Sequence, residues 1–137
     1  MGARTKSRKR ALDILYGADV REESINTVLA AEQARNDADP KRANSWPYAR
    51  DIVMGITQHG DEIDELIDTY SQDWTIARMP AIDRALVRIG LWEIMFNDEV
   101  PDGVAISEAV ESARLHSTDD SAGFVNGLLG RIAATRA

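Results

Sequence analysis

The chain has 137 residues, 44% hydrophobic and 28% charged, with no cysteine and a formal net charge of −7. That balance fits one soluble globular domain with a real core, and the lack of cysteine excludes a disulfide framework, a thiolate nucleophile and a Cys-based zinc site. No apolar run reaches the roughly 18 residues of a membrane span, and the basic N-terminus lacks a secretory signal's apolar stretch, so a cytoplasmic location is expected.

Residues 1–10, MGARTKSRKR, carry Arg4, Lys6, Arg8, Lys9 and Arg10 and no acid. The rest of the chain holds 11 of the 16 Lys and Arg against all 23 Asp and Glu, a body of −12. A basic arm on an acidic body points to RNA or DNA contact, or to a solubilising tail. The arm runs straight into a first helix with Ala11, Leu12, Leu15 and Ala18 on one stripe and Tyr16 beside it. Ser24 is placed to cap a second helix reaching about Ala34, and NDADPKRANS reads as a loop. Ser45-Trp46-Pro47 starts a third helix, because proline is tolerated in the first turn. Its stripe of Ile52, Val53 and Ile56 is interrupted at Gly60 and resumed by Ile63, Leu66, Ile67 and Tyr70.

SQDWTIARMP reads as a linker anchored by Trp74. Pro80 opens a helix with Ile82, Leu86, Ile89 and Trp92 at helical spacing, ending near Asn97. After the turn NDEVPDGV, a helix from Val104 to about His116 carries Ala105, Ala109, Val110 and Ala113. Ser117, Thr118 and Asp119 are cap candidates for a last helix. In that helix Gly123, Gly127 and Gly130 share one face, and Val125, Leu128, Leu129 and Ile132 form the opposite, core-facing one. Each interior glycine costs about 1 kcal/mol against alanine, so something must come close to the bare face, either another helix or a ligand. No period-2 run of β-branched residues occurs, and the fold class is all-α.

Enzyme chemistry finds little support. The only histidines are His59 and His116, no cysteine can act as nucleophile, and the phosphate-cradling GxxxxGK[ST] is absent. Asp119 and Asp120, adjacent at a helix start, read as acids favouring the helix dipole rather than as a metal or acid–base pair. No cofactor or metal is expected. RNA binding fares better. The arm supplies cations, Tyr16 or Phe124 a stacking plane, and Arg84 and Arg88, at i and i+4, could extend a basic track. Asn126 beside the glycine face could read a base edge, or simply be satisfied by neighbouring backbone.

FVNGLLG at 124–130 resembles the Phe-Val-Asn-Gly motif of the NusB family of bacterial transcription antitermination factors. RALDILYGADV, MPAIDRALVRIGLWEI and VPDGVAISEAVESARLHSTDDSAGFVNG resemble that family's first helix, central helix and closing segment, in order and at its intervals. The resemblance implies about seven helices in two small bundles packed across each other, here 11–73 and 74–137 after the arm at 1–10. It also implies a non-enzymatic protein that binds the boxA element of single-stranded leader RNA together with the ribosomal protein NusE. That pair joins an RNA polymerase antitermination complex serving ribosomal RNA operons.

By position, the family's RNA contacts fall on Arg4, Lys6, Arg8, Lys9, Arg10, Arg88, Asp120 and Phe124, with Asn126 in the same motif. Its NusE contacts fall on Tyr16 and Asp83. Some members self-associate, so a homodimer masking the RNA face is a further association to consider. His116 stands where relatives carry an aromatic residue, and lysines in the arm weaken bidentate phosphate recognition. Two other readings remain: the related helical module fused to ribosomal RNA cytosine methyltransferases, and a pure protein-interaction module.

Overall fold

The computed structural model describes residues 2–72 and 74–136. Residues 1, 73 and 137, which bound the expected arm and bundles, lie outside them. The described residues form seven α-helices: α1 (Ala3–Arg21), α2 (Ile25–Ala38), α3 (Trp46–Gln58), α4 (Gly60–Tyr70), α5 (Ala81–Phe96), α6 (Asp102–His116) and α7 (Ser121–Ala134). Two short 3-10 turns, Pro40–Arg42 and Ile76–Arg78, lie between them. The fold is all-α, with no strand among the described residues. None of these helices is long and apolar enough to cross a membrane.

α1 packs on α2 and α3, and α5 packs on α6 and α7 while also lying against α1 and α3. α5 is therefore the central element. Its buried Leu86, Ile89, Gly90 and Glu93 recur at i, i+3, i+4 and i+7, one continuous inward stripe. α4 rests on α5 and α7 as well as on α3, so the hydrophobic core is one cluster running from Ala11 to Ile132.

The expected helix positions hold, and the differences lie at ends. α2 runs four residues beyond Ala34 because Asn36 donates through Nδ2 to the Glu32 carbonyl (2.7 Å) and Gln33 donates to Asp37 (3.0 Å). α6 starts at Asp102 rather than Val104, since the Pro101 carbonyl accepts from the Val104 and Ala105 amides. Neither Ser24 nor Ser45 makes a side-chain cap bond. At the start of α7 the hydroxyls of Ser117, Thr118 and Ser121 bond one another and Asp83 instead of capping.

Candidate nucleic-acid interface

The basic segment is helical from Ala3, and helix geometry divides its cations between two faces. Arg4 and Arg8 point toward α3, α5 and α6. Arg8 is buried, with Nε 2.9 Å from Glu93 Oε1 and Nη1 3.2 Å from Glu108. Glu93 is 0% exposed and also accepts from the Tyr48 hydroxyl, to which Asn97 donates at 3.0 Å. Burial opposes the charged Arg8 guanidinium, but the hydrogen bond and charge of Glu93, with Tyr48 and Glu108, outweigh it and hold the pKa above its ordinary value. Burial and the same Glu93 push the Tyr48 phenol upward. Arg8 is thus held inside the protein through Nε and Nη1, and the expected RNA contact at Arg8 falls on a cation already paired with two carboxylates.

Arg4 reaches Glu99 (2.8 Å) at the surface and stacks over Tyr48 at 4.8 Å. Lys6, Lys9 and Arg10 turn the other way. Lys6 is exposed, Lys9 pairs with Asp13 at 2.6 Å, and Arg10 donates to the Arg42 carbonyl (2.9 Å) and Ser45 Oγ (3.1 Å).

A second cluster surrounds α7. Phe124 is half-buried, its ring edge-on to Trp74 with centroids 5.0 Å apart. Trp74, Asp120, Gly123, Phe124, Gly127 and Arg131 line a surface groove of about 430 Å³. A Cβ added at Gly123 or Gly130 meets nothing within 4 Å, and at Gly127 only the tip of Arg131. Among the described residues the bare face therefore packs against no other helix. It is open, and it floors a groove walled by two aromatic rings, a cation and a carboxylate. Asn126 and Asp120 are exposed on the same helix end. Such a groove offers ring edges and faces for an unstacked base, exposed backbone for close approach, and Arg131 for a phosphate. Arg131 and Trp74 are additions to the expected set. Arg131 was findable, since it lies four residues after Gly127 and seven after Phe124, on one helical face.

Arg88 is tied up: it forms a two-bond fork with Asp64 on α4 (2.9 Å and 2.9 Å). Tyr16 is 39% exposed near the C-terminal end of α1, where Asp19 pairs with Arg84 of α5 at 2.9 Å. Asp83, expected beside Tyr16 as a partner contact, is 0% exposed and accepts from Ser117 (2.5 Å) and Ser121 (2.8 Å). It joins α5 to the α6–α7 corner, so the expected NusE contact at Asp83 falls on a carboxylate enclosed in this structure.

The NusB family profile matches residues 5–134. A transcription antitermination protein NusB of Clavibacter sepedonicus is 65% identical over 137 residues, covering 100% of both chains. The chain belongs to the NusB family. The solved structure of T. maritima NusB is 31% identical, with a TM-score of 0.81 over 96% of this chain and 90% of that one. A structure of the antitermination factors NusB and NusE in complex with dsRNA superposes with a TM-score of 0.82 over 97% of both chains, at 24% identity, and bears on the fold alone. NusB relatives thus share the whole helical frame that carries the two clusters.

Proposed function

We propose that this chain is a non-enzymatic transcription antitermination factor that acts in the cytoplasm. It binds boxA-type single-stranded leader RNA together with NusE and joins the RNA polymerase complex that transcribes ribosomal RNA operons. The observation that carries the reading is the full-length, 65% identity to a transcription antitermination protein NusB. The open glycine-floored groove beside Phe124 and Trp74 supports a single-stranded RNA ligand, because unpaired bases need a ring to stack on. The RNA-facing set is Arg4, Lys6, Lys9, Arg10, Asp120, Phe124, Asn126 and Arg131, with Arg88 joining if it leaves Asp64. Tyr16 belongs to the NusE-facing surface.

The test is fluorescence anisotropy with a boxA-containing RNA and a scrambled control, with and without NusE, over a salt series. Selective binding strengthened by NusE supports the reading. Equal binding of both RNAs, with no effect of NusE, removes it.

A further inference from the structure

A third cationic cluster, which takes in Arg10, lies where α1 meets α2 and the 3-10 turn Pro40–Arg42. Glu32 on α2 is approached by three guanidinium groups: Arg35 at 2.5 Å, Arg10 at 3.4 Å and Arg42 at 4.0 Å. These residues border a cleft of about 630 Å³ between α1 and α2. Arg10 is held in place by the Arg42 carbonyl and Ser45, and its guanidinium lies 5.1 Å over the Trp46 ring. Lys41 is exposed next to Arg42, its amide fixed by Asp39 at 3.1 Å.

One carboxylate cannot balance three guanidinium groups. Asp13, Glu23 and Arg21 also line the cleft, so four guanidinium groups face three carboxylates and one positive charge is left over, on a chain whose net charge is −7. Converging like charges repel, so a fold that gathers them supplies a site for a further anion. Arginine forks match phosphate oxygens in pairs, and Arg35 and Arg42 keep their ends in solvent, with side chains 65% and 46% exposed. The cluster also continues a row: Lys6 and Arg10 are one helical turn apart on the α1 face that leads into the cleft.

We infer that Arg35 and Arg42, gathered around Glu32, with the exposed Lys41 next to Arg42 in the chain, form a phosphodiester-binding site that extends the RNA track from α1 across the turn before α3. The inference rests on the RNA-binding reading above. Glu32 keeps the guanidinium groups assembled when no RNA is bound and competes with the phosphate when it is. The contact reads backbone and not sequence.

The experiment is the double variant R35A/R42A of the full chain, with boxA and scrambled RNA over a salt series, beside E32Q. Both arginines are surface side chains, and the Arg42 group that holds Arg10 is its backbone carbonyl, which the variant retains. Each lost contact removes about 0.7 from the log–log salt slope, so the double variant flattens it by about 1.4 and weakens both RNAs about 25-fold at 0.1 M salt, referenced to 1 M. E32Q tightens both. Overturning results are an unchanged slope in R35A/R42A while wild type binds normally, or weakened NusE binding with RNA binding intact. Should wild type bind no RNA at any salt, the function reading falls first and this one with it.

Discussion

Arg8 and Arg10 lie two positions apart on α1, and which face each occupies decides its role. Arg8 faces the 0%-exposed Glu93, so removing either partner strands a buried charge, a loss of about 3–5 kcal/mol. Arg8→Ala is expected to lower the urea midpoint by that equivalent while leaving the salt slope of RNA binding untouched. Lys9→Ala should do the opposite, changing stability by less than about 0.5 kcal/mol and flattening the slope by about 0.7. A slope change in Arg8→Ala at full folding would return that residue to the RNA face. Phe124 is the other decisive side chain. Phe124→Ala should keep its helical circular dichroism and lose about 1–3 kcal/mol of boxA affinity, the worth of one stacked base. Unfolding without a specific RNA effect would make the ring a packing group. The sequence marks Phe124 through its motif but cannot reveal that Arg8 is paired inside the fold, because its partner Glu93 is 85 residues away. The one local hint is an acid in the apolar stripe of α5.

At the scale of elements, the glycines separate into two kinds that sequence alone cannot tell apart. A Cβ on Gly55 of α3 would run into the Trp92 indole, and one on Gly90 would come within 2.6 Å of Leu129, so these two permit helices to meet. Gly55→Ala is expected to cost about 1–3 kcal/mol by overpacking, read as a lower melting temperature. Gly123 and Gly130 meet nothing, so alanine there should raise stability by about 0.5–1 kcal/mol each by restricting the unfolded chain and favouring the helix. If RNA approaches the α7 backbone, Gly123→Ala gains stability and loses boxA affinity together. A stabilised variant with unchanged affinity would mean that RNA stays clear of that backbone. The helices themselves were legible, because 3.6-residue apolar stripes and the prolines at 47, 80 and 101 punctuate them. Their ends were not, since side-chain bonds such as Gln33 to Asp37 carry α2 through polar residues that otherwise signal a loop.

For the whole molecule, the placement of charge sets what the chain can do without a partner. α5 runs with Glu93 at the Arg8 end of α1 and Arg84 at the Asp19 end. Glu93 and Asp83 are ten residues apart along it, about 15 Å at 1.5 Å per residue. The α1 cations and the α7 groove, which follows the Asp83 corner, therefore form separate footholds. The sequence shows a basic arm and a glycine motif but not this separation, which depends on how α1 and α5 pack. An RNA bound as proposed above would engage both while crossing a chain of net charge −7. Lys6, Lys9 and Arg10 alone correspond to a log–log salt slope of about −2, and adding Arg35 and Arg42 steepens it to about −3.5. Either value describes an electrostatically modest binder. A second protein seated near Tyr16 adds contacting surface without forcing the acidic body closer to the phosphates. Adding NusE is therefore expected to tighten boxA binding at every salt concentration and to steepen the slope, with the larger gain for boxA over the scrambled control. Anisotropy titrations of the same RNA with and without NusE decide this. Coincident curves would mean that NusE adds nothing to RNA capture, and the chain's own two footholds would then have to account for all of the affinity.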